Sequence, residues 1–162
     1  MKMDRPPHLK DLEEDAEKQP FLPNYLLFLL ASTSAAASAE FHATVREHGL
    51  RVPEWRVLAC LHDEDGQMVT RLAGLALMEQ SRLTRIIDQM DARGLVERRS
   101  DALDRRRVRV HLTGDGRILA EEMVQRAAEH EAALLSRLPD GKGNELRRLL
   151  KEVYRQFSGE AD

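Results

Sequence analysis

Apolar positions along the chain recur with two different periods, and the places where the period changes mark its organisation. Residues 1–20 carry many charges and no sustained apolar rhythm, so they read as a polar tail. Pro20 and Pro23 then punctuate, and Asn24 is a candidate N-cap for a helix from Tyr25 to about His48, closed by Gly49. Pro53 suits the first turn of a second helix reaching about His62, with Trp55, Leu58 and Leu61 on one face. Asp63-Glu64-Asp65-Gly66 reads as a turn. Thr70 is the expected cap of a short third helix whose apolar positions are Leu72, Ala73, Leu75 and Ala76. After a break around Met78 to Gln80, a fourth helix runs from about Ser81 to Arg93 and stops at Gly94. Its Leu83, Ile86, Ile87 and Met90 follow the i, i+3, i+4, i+7 spacing of one buried stripe. The opposite face carries Ser81, Arg82, Arg85, Asp88 and Gln89, with Gln80 and Thr84 alongside.

The period then drops from 3.6 to 2. Arg107-Val108-Arg109-Val110-His111-Leu112 alternates polar and apolar as a half-buried strand does, and Leu95-Val96-Glu97-Arg98 is its expected partner. The connection through Ser100-Asp101-Ala102-Leu103-Asp104 makes a hairpin with a long charged tip. Thr113 caps the next helix, which places Leu119, Met123, Ala127, Leu134 and Leu138 near one stripe and ends at Pro139. A last helix carries Leu146, Leu149, Leu150, Val153 and Phe157 at helical spacing. The fold class expected is mainly α with a small β-hairpin wing, an α+β arrangement in which two short helices and a tight turn lead into a two-stranded ribbon. This is a winged helix-turn-helix, flanked by N-terminal and C-terminal helices.

Composition narrows the function classes. The chain has 162 residues, 42% hydrophobic and 33% charged, enough apolar sequence for a core and too much for wholesale disorder. One cysteine, Cys60, excludes an internal disulfide and suits a reducing, cytosolic setting. Its neighbours Ala59 and Leu61 are apolar, the kind of surroundings in which thiols tend to be inert. No apolar h-region follows Met1-Lys2-Met3-Asp4-Arg5, so no signal peptide is expected. The most apolar run, Tyr25 to Ala39, is short for a bilayer and rich in Ser and Thr, so it reads as a helix packed against protein and no membrane partner is expected. The formal net charge of −3 hides an asymmetry: between Arg71 and Thr113 ten arginines face six carboxylates, a local net of +4 that leaves −7 on the rest. A basic middle between acidic ends is what one phosphate-facing surface requires.

The helix from Ser81 fits a major groove and would present polar side chains to base edges. Gln80, Ser81, Arg82, Thr84, Arg85 and Gln89 are the candidates, because arginine bonds guanine bidentately and hydroxyls and amides suit bases or phosphates. At the hairpin tip Arg105, Arg106 and Arg107 suit the narrow, electronegative minor groove. Among the six histidines no pair stands at i, i+3 or i+4, so no helical metal clamp is expected, and no metal or cofactor site is assigned. Gly-x-Ser-x-Gly, a P-loop and a dinucleotide fingerprint are absent, and no enzyme is expected.

At these residues the sequence resembles the MarR family of bacterial transcriptional regulators. The matching pieces run in order from Val52-Pro53-Glu54-Trp55-Arg56-Val57-Leu58 to Gln80-Ser81-Arg82-Leu83-Thr84-Arg85-Ile86-Ile87-Asp88, then Arg93-Gly94-Leu95-Val96-Glu97-Arg98, Asp104-Arg105-Arg106 and Leu112-Thr113-Gly114-Asp115-Gly116. The resemblance covers about residues 25–157 and implies a homodimer in which the first helix and the last two of each subunit interdigitate. It divides the chain into a tail (1–20), an N-terminal dimerisation helix (21–49), a DNA-binding lobe (50–113) and C-terminal dimerisation helices (114–162). It further implies that Arg106 enters the minor groove and Asp104 orients a neighbouring arginine. The implied partner is double-stranded DNA carrying a pseudo-palindromic operator. A small-molecule effector, such as an aromatic carboxylate, would bind near Tyr25, Phe28, Trp55 and Leu58 and release a repressor. Two alternatives remain open on the sequence: a protein–protein adaptor that uses the winged helix without reading DNA, and a thiol-switched regulator acting through Cys60.

Overall fold

A computed structural model describes residues 20–101 and 107–158. The chain divides into two compact units, Met1–Thr44 and Val45–Asp162. In the first, a single turn α1 (Phe21–Asn24) precedes the long helix α2 (Leu26–Glu47), whose last residues belong to the second unit. Asn24 is not the cap expected from its type: it ends α1, and its side-chain amide donates back to the Pro20 carbonyl at 3.2 Å. Tyr25 then takes an extended ψ of 115° and separates the two helices. An 18-residue stretch of α2 has a mean hydropathy of 1.2, so by length and composition alone the helix could cross a membrane. It is longer than the apolar run seen in the sequence, and core helices pass the same test. Gly49, at φ +68°, closes α2 as expected: its N–H bonds the Arg46 carbonyl, and that of Leu50 bonds Val45.

The second unit continues with α3 (Val52–Asp63), β1 (Gln67–Met68), α4 (Val69–Leu75), α5 (Gln80–Ala92), β2 (Val96–Ser100), β3 (Val108–Leu112), α6 (Gly114–Ser136) and α7 (Lys142–Ser158). The sheet has three antiparallel strands in the order β1-β3-β2, one more than the expected hairpin. In it Val96 pairs with Leu112, Arg98 with Val110, and Gln67 with Val110 from the other edge. Because β1 runs straight into α4, that helix starts at Val69, and Thr70 lies inside its first turn rather than capping it.

The core of this unit joins Val57, Leu58 and Leu61 of α3 to Leu72 of α4, Leu83, Ile87 and Met90 of α5, Val96 and Val110 of the sheet, and Ala120 and Met123 of α6. Leu75, expected among the apolar positions of α4, points outward and is 52% exposed, whereas Ala76 beyond the helix is buried. Thr113 caps α6 as expected, accepting from the Gly116 N–H at 3.0 Å, and its own hydroxyl donates to the Gly94 carbonyl. The Gly116 backbone lies against the Leu95 carbonyl, so close that a Cβ there would fall 1.8 Å from the oxygen. These two contacts seat α6 on the turn between α5 and β2.

Candidate nucleic-acid interface

α5 is held by its apolar stripe. Leu83, Ile86, Ile87 and Met90 are all buried, each contributing about 1.5–3 kcal/mol as an upper bound. That stripe leaves Gln80, Ser81, Arg82, Thr84, Arg85, Asp88 and Gln89 exposed on the outer face, where the spacing predicts them. The Thr84 hydroxyl turns back to the Gln80 carbonyl at 2.9 Å, while Arg82 and Arg85 have no ion-pair or hydrogen-bond partner among the described residues. These two guanidiniums are therefore open to an external anion.

The outer face is flanked by two networks. On one side Arg98 of β2, on the sheet face shared with Val110, donates to Asp88 and to the Thr84 carbonyl, fastening the wing to α5. On the other side Glu54 of α3, 1% exposed, gathers three donors: the Arg51 backbone N–H at 2.7 Å, the Arg51 guanidinium at 2.8 Å and Arg93 at 3.0 Å. Arg93 also donates to the Gly49 carbonyl at 2.9 Å, and Arg51 donates to the Gln89 amide oxygen. Burial alone would raise the Glu54 carboxyl, but hydrogen bonds from Arg51 and the charges of Arg51 and Arg93 outweigh it and hold the pKa below the ordinary value.

The wing base is braced by carboxylates. Buried Asp101 follows β2 and accepts from Arg109 of β3, while the same guanidinium donates to the Gly66 carbonyl at 2.8 Å. Asp65 accepts from the Leu112 N–H at 2.9 Å and from Arg117 of α6 at 3.1 Å, with His111 beside it. Burial would raise the Asp65 carboxyl, yet hydrogen bonds from the Leu112 and Gly66 N–H groups and from His111 bring it below the usual range. Arg107 is exposed at the start of the returning strand. The other wing candidates, Asp104, Arg105 and Arg106, lie outside the described residues.

The sequence profile of the MarR family matches residues 50–108, from the approach to α3 to the returning strand of the wing. The crystal structure of a MarR family transcriptional regulator from Silicibacter pomeroyi DSS-3 is 58% identical, has a TM-score of 0.73, and covers 83% of this chain and 98% of its own. The chain belongs to the MarR family. Bordetella bronchiseptica BpsR, whose DNA binding is regulated by 6-hydroxynicotinic acid, is 27% identical with a TM-score of 0.71 over 85% of this chain and 95% of that one. The HTH-type transcriptional regulator TtmR of Methylorubrum extorquens is 28% identical over 102 residues, 63% of this chain. The chain spans about half of that curated relative, 52% of its length.

This MarR-family chain is thus a winged helix-turn-helix, DNA-binding transcriptional regulator and not an enzyme. Of its candidate effector residues, Tyr25 is 40% exposed and Phe28 half-buried in the first unit, while in the second Trp55 is half-buried and Leu58 wholly enclosed in the core. Burial and the charge of Asp63 push the half-buried Cys60 thiol up, away from the thiolate a redox switch needs. The sequence reading missed Glu54, Arg51, Arg93, Arg98 and the Asp101–Arg109 pair, the residues that fix α5 and the wing. One signal was available for Glu54: it stands three and four residues before Val57 and Leu58, on the apolar row itself.

Proposed function

We propose that the chain is a homodimeric repressor that places α5 of each subunit in successive major grooves of a pseudo-palindromic operator. The reading rests above all on the outer face of α5, where two arginines without a partner among the described residues stand among exposed hydroxyl and amide groups on a helix fixed by four buried side chains. Arg82 and Arg85 make the base or phosphate contacts, with Gln80, Ser81, Thr84 and Gln89 beside them; Arg105, Arg106 and Arg107 of the wing reach the flanking minor groove, and Asp104 orients a neighbouring arginine. Half-site centres lie about one helical turn, roughly 34–36 Å, apart. The protein works in the cytoplasm, where the operator is.

An aromatic carboxylate is the proposed effector, on the motive that BpsR, of similar fold, is regulated by one. It acts by binding the operator-incompetent arrangement better than the competent one. Trp55, the lone tryptophan, gives a direct readout: titration of 6-hydroxynicotinic acid should change its fluorescence and lower operator affinity together. A ligand that does neither removes the support for an effector of this class.

The deciding experiment titrates the protein onto its own upstream DNA and onto scrambled duplex at two salt concentrations. Saturable, salt-sensitive binding to a discrete palindromic site supports the reading, and Arg85→Ala or Arg106→Ala should each cost about 1–3 kcal/mol there. Weak binding alike on every sequence would overturn operator recognition.

A further inference from the structure

The charges on α5 are sorted by flank. Thr84, Asp88 and Asp91 stand at i, i+4 and i+7 on the side fastened to the wing through Arg98. Arg82, Arg85, Gln89 and Arg93 stand at i, i+3, i+7 and i+11 on the other side, with no carboxylate of α5 among them. This second row does not end with the helix. Arg51, preceding α3, reaches it by donating to Gln89, so a fifth side chain joins the row from a different element.

Arg51 is placed like a ligand-binding group rather than a surface ion pair. Its partner Glu54 is 1% exposed and also holds Arg93, so one buried carboxylate fixes two guanidiniums side by side and leaves the group a net positive charge. Both face water: the Arg51 side chain is 56% exposed and that of Arg93 43%. Arg51 spends its Nη2 on Glu54 and Gln89, whereas its Nε and Nη1 have no partner among the described residues. An exposed arginine normally gives up rotamer freedom when it takes a ligand. Here the buried carboxylate has already removed that freedom, and the unused Nε–H and Nη1–H groups, on different edges of the guanidinium, remain as separate single donors for phosphate oxygens.

We propose that Arg51, held by Glu54 beside Arg93, is a phosphate-binding residue that grips the DNA strand on the side of α5 away from the wing. The two flanks then have different tasks: the wing meets the backbone and minor groove on one side, and the Arg51–Arg93 pair clamps the backbone bordering the major groove on the other. A phosphate contact sets register without reading sequence. The inference depends on α5 occupying the major groove, as proposed above.

The test uses a duplex that the wild-type protein selects from a randomised library, together with a scrambled duplex, each titrated from about 50 to 200 mM salt. Arg51→Gln, which keeps a donor for Glu54 and removes the charge, should weaken binding to both duplexes by the same factor, roughly tenfold at the lowest salt. The slope of log affinity against log salt should fall by about one. Arg51→Lys should restore most of the slope, and thermal melting of each variant confirms a folded protein. An unchanged slope overturns the proposal. So does a loss confined to one base-pair position on reselection, which would make Arg51 only a support for Gln89. Arg85→Ala separates the two readings: if it abolishes site preference while Arg51→Gln keeps the wild-type slope, the clamp fails and the groove placement stands. If wild type selects no site at all, the groove placement itself has failed.

Discussion

At position 54 a carboxylate lies where the row Val57, Leu58, Leu61 would place another apolar side chain. It survives there because three donors meet it, replacing the water it lost. Glu54→Ala should therefore cost about 1.5–3 kcal/mol in urea unfolding, the range for hydrogen bonds to charged groups. The pH dependence has a fixed sign. A carboxyl held below its unfolded pKa, about 4.3 for glutamate, stabilises fully above that value, and the contribution is lost as pH falls through the folded pKa. Asp65 acts in the same direction. Thermal stability should decline from about pH 4 downward in wild type, and Glu54→Gln should flatten that decline. Leu77 offers the opposite case. It sits at φ +55° with its side chain 75% exposed, so the backbone is strained and little packing compensates. Leu77→Gly should raise stability by about 0.5 kcal/mol, the relief of roughly 1–2 kcal/mol less the entropy glycine adds to the unfolded chain. A loss of stability on denaturant titration would show that Leu77 packs better than its exposure suggests.

Among elements, the turn from α5 through β2 to α6 has the least room. Gly116→Ala puts a methyl carbon 1.8 Å from the Leu95 carbonyl oxygen, and neither backbone can yield without moving α6 off the wing base. The expected cost exceeds about 3 kcal/mol, seen as loss of cooperative melting or of soluble protein. Thr113→Ala, which removes only the cap, should cost about 1 kcal/mol. The same stretch shows what a sequence reveals and what it hides. The stripe of α5, the alternation of β3 and the caps at Gly49 and Thr113 were legible because each is a local rule that tertiary packing reinforces. β1 was not, since two residues have no period and Gln67-Met68 becomes a strand only by pairing with Val110 and Arg109. The polar face of α5 was legible as a surface. The struts beneath it were hidden, because Arg51, Glu54, Gln89 and Arg93 meet across 42 positions of chain and a buried glutamate follows no surface pattern.

On the scale of the whole molecule, exposed apolar side chains gather in the N-terminal segment from Phe21 to Leu27 and along α7. Leu146, Leu149, Leu150, Val153 and Phe157 repeat at helical spacing and are between 37% and 82% exposed, and no side chain of the helix is buried. A monomer that left this stripe in water would forgo the burial that makes an amphipathic helix worth ordering, and contiguous apolar faces of this kind mark interfaces. In the proposed homodimer the stripe is covered by the second copy. Leu149→Glu with Leu150→Lys should then convert the dimer to a monomer in sedimentation equilibrium. The lobe's own core, from Val57 to Met123, is untouched by either change, so helical content should fall mainly in α7. DNA binding should fall much further than the loss of one contact, because a monomer occupies a single half-site and forfeits the effective concentration that tethers the second lobe. Scrambled-duplex binding should fall less than operator binding, since phosphate contacts need no particular spacing. A double variant that stays dimeric would assign dimerisation to other surfaces. One that becomes monomeric yet keeps operator affinity would sever the link between the arms and the spacing of the two recognition helices.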